Sequence, residues 1–254
     1  MPEPLPAHCE SLLTSEFGAS ECHSVDASGY EGATFIRDLN SPFPDDSVNG
    51  YDVVLDFGTL EHVFDVRTAF DNVASAARLG GTIAHVLPAN QQCGHGFYQF
   101  SPEFFFTLYA DDRGFNKTEV YIVRQAAPTT WYRVPRPAAG ERVLVESSDS
   151  LYVVSIAVKG LVSQPADVQQ SDYRWLWDSS DMDPSSVTNP ELHDISPWRQ
   201  ARRTIGSVPL TRSARDAIRA ASRTATAVAA SVSQQVRSNA QLEKSDIDDL
   251  IARA

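Results

Sequence analysis

The sequence predicts an α/β fold with a mostly parallel β-sheet, an antiparallel hairpin at one edge of the sheet, and a helical extension after it. Short apolar runs end in acids or glycine turns; the clearest is residues 51–55, followed by Asp56 and Gly58. Segments with helical spacing lie between these runs, and strands that alternate with helices favour parallel pairing. We expect this domain to span residues 1–162.

The first half of the domain contains the elements that would form the parallel part of the sheet. A helix is predicted over residues 7–17, ending near Gly18. A second helix over 66–79 has its apolar residues on one face and is predicted to stop at Gly80-Gly81. Four strands are predicted, at 22–25, 34–36, 51–55 and 82–87, the last of them closed by Pro88.

The sequence of the second half of the domain predicts one helix and the antiparallel hairpin. Ser101 is a suitable N-cap and Pro102 a suitable first helical residue, so a helix is expected from there to about residue 112. Two longer strands follow, at 119–124 and 151–159, and a proline-rich loop joins them. With no helix between them, these two strands are predicted to pair antiparallel at the sheet edge.

The remaining sequence differs in composition from the sheet domain. Residues 163–212 form a polar, tryptophan-containing linker, and residues 213–254 have the three- and four-residue spacing of a helix with a narrow seam of small residues. A run of arginines lies near the start of this helix. Two interpretations remain open: a solvated appendage, or a basic helix that contacts an acidic protein or an anionic membrane surface.

Composition excludes several classes of function. The chain has 33 acidic and 21 basic residues and a net charge of −12, which disfavours DNA or RNA as the main partner. Its three cysteines are scattered and form no CxxC pair, so neither a disulfide framework nor a structural zinc site is expected. No apolar run is long enough to span a bilayer and the start lacks a signal-peptide pattern, so we expect a cytoplasmic protein. The sequence does not indicate an oligomeric state.

Acidic residues end two neighbouring predicted strands. Asp26 ends one strand and Asp38 follows the next, so both carboxylates are expected at the same edge of the sheet. A carboxylate there can accept two hydrogen bonds from vicinal ribose hydroxyls. Each acid alone is equally consistent with a turn residue, but together with Gly58 they indicate a nucleoside pocket.

Five segments in this order resemble class I S-adenosylmethionine-dependent methyltransferases, over roughly residues 8–160. They are residues 25–28, 37–40, 52–62, 79–82 and 94–103. The resemblance implies a Rossmann-like sheet, S-adenosylmethionine as cofactor, and a small-molecule or glycan methyl acceptor. It also implies that Asp26 binds the ribose and that Asp38 and Leu39 contact the adenine, while Phe57, Gly58 and Thr59 flank the methionine part and the acceptor.

Two histidines are candidates for the acceptor side. An imidazole titrates near neutral pH, so His62 is the candidate base; alternatively it is a helix-start residue bonded to its neighbours. Glu61 either orients His62 or only favours the start of a helix. His95, between two glycines, is expected to contact the acceptor. His85 alternates with apolar residues in a strand and is predicted to be structural. No metal-binding motif or dense group of ligands is visible in the sequence, so no metal is expected.

The resemblance also shows what the chain lacks. The first strand and its glycine-rich loop, which would hold the methionine carboxylate, have no counterpart before Asp26. Three explanations remain open: a fragment or mis-assigned start, a degenerate relative without activity, or a strand supplied by another chain. We therefore expect weak or no binding of S-adenosylmethionine by this chain as written.

Methyl transfer is the leading functional hypothesis. The alternative is a non-catalytic scaffold that kept the fold and binds partners through its C-terminal helix. A nucleotide-sugar or dinucleotide enzyme is a third and weaker hypothesis.

Overall fold

A computed structural model describes residues 9–47, 49–138, 141–160 and 168–170, together with the backbone of two short strands nearer the C terminus. The predicted linker at 163–212 lies almost wholly outside the described residues, and so does most of the predicted helix at 213–254. The two short strands fall inside that helix, so a single helix through to residue 254 is wrong.

Three α-helices and ten β-strands occur among the described residues. The helices are α1 (Cys9–Glu16), α2 (Val66–Ala76) and α3 (Pro102–Leu108). The strands are β1 (Val25–Asp26), β2 (Phe35–Ile36), β3 (Tyr51–Asp56), β4 (Ala77–Asn90), β5 (Phe115–Arg124), β6 (Ala127–Val134), β7 (Val145–Glu146), β8 (Leu151–Lys159), β9 (Arg237–Ser238) and β10 (Glu243–Asp246).

The main sheet has six strands in the order β10-β6-β5-β8-β4-β3. The α/β class is confirmed, and β3 and β4 pair in parallel as predicted. A mostly parallel sheet is wrong for this part of the chain, since the other four pairings of the main sheet are antiparallel. The prediction missed β6, whose Ala-Pro-Thr-Thr start has the composition of a loop. Strands β5 and β8 do pair antiparallel, but β6 and β10 place this pair inside the sheet rather than at its edge.

Strands β1 and β2 form a separate parallel pair, which lies next to β3 without joining it. Among the described residues no strand lies between this pair and β3. His23 makes the link instead: its Nδ1 lies 3.0 Å from the Tyr51 hydroxyl, and its ring packs edge-on against Phe35 and Tyr51.

Helices α2 and α3 bury one face of the main sheet. Phe70 of α2 and Phe105 of α3 pack with Ile83 and Leu87 of β4 in the principal core. A smaller cluster on Tyr121, Val123 and Val154 lies apart from this core. No helix among the described residues combines the length and the apolar character that crossing a membrane requires.

Helix α2 ends three residues earlier than predicted, because the strand β4 begins at Ala77. The ammonium group of Lys159 supplies the stop by donating to the carbonyl oxygens of Ala74 (2.7 Å) and Ala77 (2.8 Å). A cation at this end also complements the helix dipole. Partial burial lowers the pKa of Lys159. The predicted glycine stop, Gly80-Gly81, lies inside β4 instead.

Gly81 allows β4 to approach β3, because a Cβ atom there would lie 2.9 Å from the carbonyl oxygens of both Tyr51 and Arg78. Gly81→Ala should therefore lower the free energy of unfolding by about 1–3 kcal/mol in urea denaturation. Gly94→Ala is the matched control, since nothing lies within 4 Å of its added Cβ. Equal stabilities of the two variants would contradict this role of Gly81.

Two further boundaries differ from the predictions. Strand β4 continues through Pro88, which pairs with Tyr152, to Asn90. Ser101 caps α3 as predicted, by accepting from the Phe104 amide at 3.4 Å, but the helix ends at Leu108. A separate 3-10 turn at Asp111–Arg113 then leads to the left-handed Gly114.

Candidate functional site

The turn after β3 is held by the last residue of that strand. Asp56 is buried, and its Oδ1 accepts from the amides of Thr59 (3.1 Å) and Leu60 (3.3 Å). Gly58 in this turn has φ +91°, a left-handed conformation that glycine adopts without strain. The predicted contact residues Phe57, Gly58 and Thr59 therefore lie on a rigid turn at the carboxyl end of a parallel strand.

The other oxygen of Asp56 belongs to a buried hydrogen-bonded triad. Its Oδ2 lies 2.7 Å from His85 Nδ1, and His85 Nε2 lies 2.6 Å from the Tyr109 hydroxyl. A carboxylate only accepts, which assigns the His85 proton to Nδ1 and makes Nε2 the acceptor of the tyrosine proton. Burial raises the pKa of Tyr109 well above its usual value. The predicted structural role of His85 is consistent with this position inside the core.

Glu61, His62 and His95 form a cluster beside the turn. The Glu61 side chain is fully buried, and its Oε1 lies 3.1 Å from His95 Nε2 and 3.7 Å from His62 Nε2. The two imidazoles meet edge to face at 5.1 Å and are each about half exposed. A Cβ on Gly58 would lie 3.4 Å from the same Glu61 oxygen. The structure thus brings together both predicted histidines and the predicted glycine turn around one buried carboxylate.

The backbone of Glu61 also fixes the loop that carries His95. Its carbonyl oxygen accepts from the amides of Phe97 (2.7 Å) and Tyr98 (3.3 Å). Gly96 has φ +73°, and a Cβ there would lie 2.7 Å from Glu61 Cγ. The Tyr98 hydroxyl donates to the Phe64 carbonyl at 2.7 Å. His95 is therefore held against Glu61 by the loop on both sides of it.

The two predicted nucleoside acids end adjacent parallel strands. Val25 pairs with Phe35 and Asp26 with Ile36, so Asp26 and Asp38 lie at the same end of the β1–β2 pair. Each closes a turn through its Oδ1: Asp26 accepts from the Ser28 amide at 2.6 Å and Asp38 from the Asn40 amide at 2.9 Å. The bonds from Asn40 lower the pKa of Asp38. Among the described residues, Oδ2 of neither acid makes a hydrogen bond.

One residue missed in the sequence positions the predicted adenine contact. Leu39 is half-buried against the core, and its carbonyl oxygen accepts from Asn72 Nδ2 at 3.3 Å. Asn72 lies on α2 and is buried; it also donates to the Ser41 carbonyl and accepts from the Phe43 amide. A polar residue on the buried face of an amphipathic helix was the available signal for this role.

One cavity among the described residues lies apart from the candidate site. A shallow cavity of about 220 Å³ lies on α3 and the segment at 168–170. None of its lining residues belongs to the predicted contact set. The turn after β3, the histidine cluster and the strand-end acids therefore define the candidate site by chemistry and placement, not by enclosed volume.

The cluster also changes the expectation about metals. Glu61, His62 and His95 each offer one ligand atom, and these three atoms lie within 4.8 Å of one another. The sequence showed no such group, because Glu61 and His95 are 34 positions apart and match no local spacing motif.

Comparison with known proteins finds likeness to solved structures, of which 12 chains match. No family model matches the chain, and no curated protein matches it. A solved structure that it resembles is that of the PH0226 protein from Pyrococcus horikoshii OT3, at 12% identity and a TM-score of 0.29. The match covers 59% of this chain and 77% of that one. A score this low carries no argument about function.

Proposed function

We propose that this chain is a methyltransferase-type protein that binds S-adenosylmethionine at the carboxyl ends of β1, β2 and β3 and faces its acceptor with the Glu61–His62–His95 cluster. The proposal depends on how close the Gly58 turn lies to this cluster, since a Cβ added at Gly58 would lie 3.4 Å from Glu61 Oε1. Groups suited to proton transfer are thus near the turn where the reacting methyl group is expected. The acceptor class is a small molecule or glycan with a hydroxyl or similar nucleophile.

The residues present suit the nucleoside part of the cofactor. The Oδ1 atom of each carboxylate already accepts a hydrogen bond within its own turn, so Oδ2 is the atom available to a ligand. Oδ2 of Asp26 suits the ribose hydroxyls, and Oδ2 of Asp38 suits the adenine amino group. The backbone of the half-buried Leu39 lies close to these acids. The backbone of Gly58, in its left-handed conformation, lies close to β3. No described residue supplies the glycine-rich turn expected for the methionine carboxylate, so we expect binding in the millimolar range.

The Glu61–His62–His95 cluster supplies the groups that act on the acceptor. S-adenosylmethionine, when bound, supplies a methyl group on a positively charged sulfur. His95 Nε2 faces the buried Glu61 carboxylate, so the proton of the neutral ring is on Nε2 and Nδ1 is available as a proton acceptor. Glu61 then stabilises the imidazolium that forms. His62, farther from Glu61 at 3.7 Å, contacts the acceptor or shares this proton.

Ligand-observed NMR with S-adenosylhomocysteine tests the cofactor part. The full chain should give saturation transfer to the adenosine protons at millimolar ligand, in buffer that contains EDTA. Asp26→Asn and Asp38→Asn should each weaken binding by about tenfold or more, because each removes a charged acceptor. Asp71→Asn is the control, since Asp71 is exposed and pairs only with Arg67 among the described residues. No transfer in the wild type, or no loss in either strand-end variant, contradicts the proposal.

A further inference from the structure

We propose that Glu61, His62 and His95 form a binding site for a divalent transition-metal ion, with Zn²⁺ as the ion that suits it best. The proposal rests on the cluster alone and not on methyl transfer. Two imidazoles and one carboxylate are the ligand set that zinc takes in many catalytic sites, where a fourth position stays open. Mg²⁺, which prefers oxygen ligands, should bind poorly.

Glu61 is a buried carboxylate, and its charge needs a positive partner. Its side chain is fully buried, and among the described residues no lysine or arginine pairs with it; its partners are His62 and His95. An isolated buried carboxylate is costly unless a positive charge lies beside it. That charge is either a proton on an imidazole or a metal ion held by both.

The unsatisfied oxygen of Glu61 favours the metal. Oε2 is buried and has no hydrogen-bond partner among the described residues, whereas Oε1 faces both imidazoles. A proton on either ring would stabilise Oε1 and leave Oε2 as it is. A metal ion can bind a carboxylate through both oxygens, so it would account for both atoms.

The distances from Glu61 to the two imidazoles fit zinc. Bonds of about 2.0–2.1 Å at tetrahedral angles place two ligand atoms about 3.3–3.5 Å apart. The two distances from Glu61 Oε1, 3.1 and 3.7 Å, bracket that value. The imidazoles are half exposed, so small side-chain rotations can bring their nitrogens closer together.

The rest of the site is built to hold these ligands. Glu61 is fixed by two amides on its carbonyl oxygen, and Gly96 packs against its side chain. His62 follows Glu61 directly in the 3-10 turn Leu60–His62. A bound ion would present its open position to solvent on the side where the imidazoles are exposed. It would there lower the pKa of a hydroxyl or bind a carboxylate oxygen of the acceptor.

Zinc and a proton compete for the same nitrogens. In the zinc-loaded chain both imidazoles are ligands, so the metal takes over the activation of the acceptor hydroxyl. In the metal-free chain His95 remains the base. The measurement of zinc binding therefore stands apart from that of S-adenosylhomocysteine, and either can fail without the other.

Calorimetric titration of the EDTA-treated full chain with ZnCl₂ tests the proposal. One equivalent should bind in the micromolar range or tighter, and MgCl₂ should give no comparable heat. His95→Ala and His62→Ala should each weaken zinc binding by more than about tenfold. Glu61→Gln, which keeps the shape of the buried side chain, should do the same. Circular dichroism confirms that each variant is folded.

Two controls separate this site from other zinc ligands. His23→Gln removes a histidine whose Nε2 lies 3.0 Å from Glu21 but which has no second imidazole beside it in the part of the chain that the structure describes. Cys93→Ser removes an exposed thiol near His95 in sequence. Both should bind zinc as the wild type does. No zinc binding, unchanged binding in the His62 and His95 variants, or loss on Cys93→Ser would overturn the proposal.

Discussion

Replacing His85 by leucine should lower the free energy of unfolding by about 3–5 kcal/mol. The substitution leaves Asp56 Oδ2 and the Tyr109 hydroxyl buried without their partner, since His85 bridges them at 2.7 and 2.6 Å. It also fills most of the space of the imidazole, so the loss reports on hydrogen bonding more than on a cavity. Urea denaturation followed by circular dichroism measures the change.

Tyr109→Phe is the graded control for His85→Leu. It removes a single hydroxyl and leaves the Asp56–His85 contact intact, so we expect a loss of about 1–2 kcal/mol. The order of stability should be wild type, then Tyr109→Phe, then His85→Leu. If His85→Leu were as stable as the wild type, the triad would not hold β3 to β4 and α3.

Gly96→Ala should lower the free energy of unfolding by about 2–4 kcal/mol, because two costs add. An alanine at φ +73° is strained, and its Cβ would lie 2.7 Å from Glu61 Cγ and 2.9 Å from the Glu61 carbonyl oxygen. Thermal and urea unfolding measure the loss. The same variant should weaken zinc binding, since the loop can relieve the clash only by carrying His95 away from Glu61.

Gly32→Ala separates the two costs of the Gly96 variant. Gly32 has nearly the same φ, +75°, but nothing lies within 4 Å of its added Cβ. Gly32→Ala should lower the free energy of unfolding by only about 1 kcal/mol, which is the cost of the left-handed backbone conformation. Equal losses for the two variants would show that Gly96 does not pack against Glu61.

Local patterns in the sequence predicted the parts of the fold that local physics determines. The apolar run at 51–55 became β3, and 151–159 was predicted with the bounds that β8 has. Ser101 caps α3 as predicted because a cap depends on a few neighbouring residues. Asp26 and Asp38 end paired strands, as their positions after two apolar runs indicated.

Predictions failed where distant contacts decide the structure. Gly80-Gly81 has the composition of a helix stop, but α2 ends earlier. There the ammonium group of Lys159, on the distant strand β8, donates to the carbonyl oxygens at the end of the helix. The strand β6 is polar at its start and gains its structure by pairing with β5 and β10. Neither contact leaves a local signal.

The candidate site shows the same division. The turn at Phe57–Thr59 and the choice of His62 as a candidate base came from local motifs, and the structure brings these residues close together. The burial of Glu61 did not: the sequence indicated only that Glu61 orients His62 or favours a helix start. Its burial and its contact with His95 depend on a loop 34 residues away. Asn72 and Tyr109 were likewise missed because their partners lie on other elements.

The proposed cofactor site is tested most directly by a map of amide chemical shifts in the ¹⁵N-labelled full chain on titration with S-adenosylhomocysteine. Shifts should concentrate at three places: the turns after Asp26 and Asp38, the turn at Gly58, and Glu61 with the loop around His95. The same map for Asp26→Asn should lose them. Absence of shifts at millimolar ligand, or shifts confined to other parts of the chain, would contradict a cofactor site at the carboxyl ends of β1, β2 and β3.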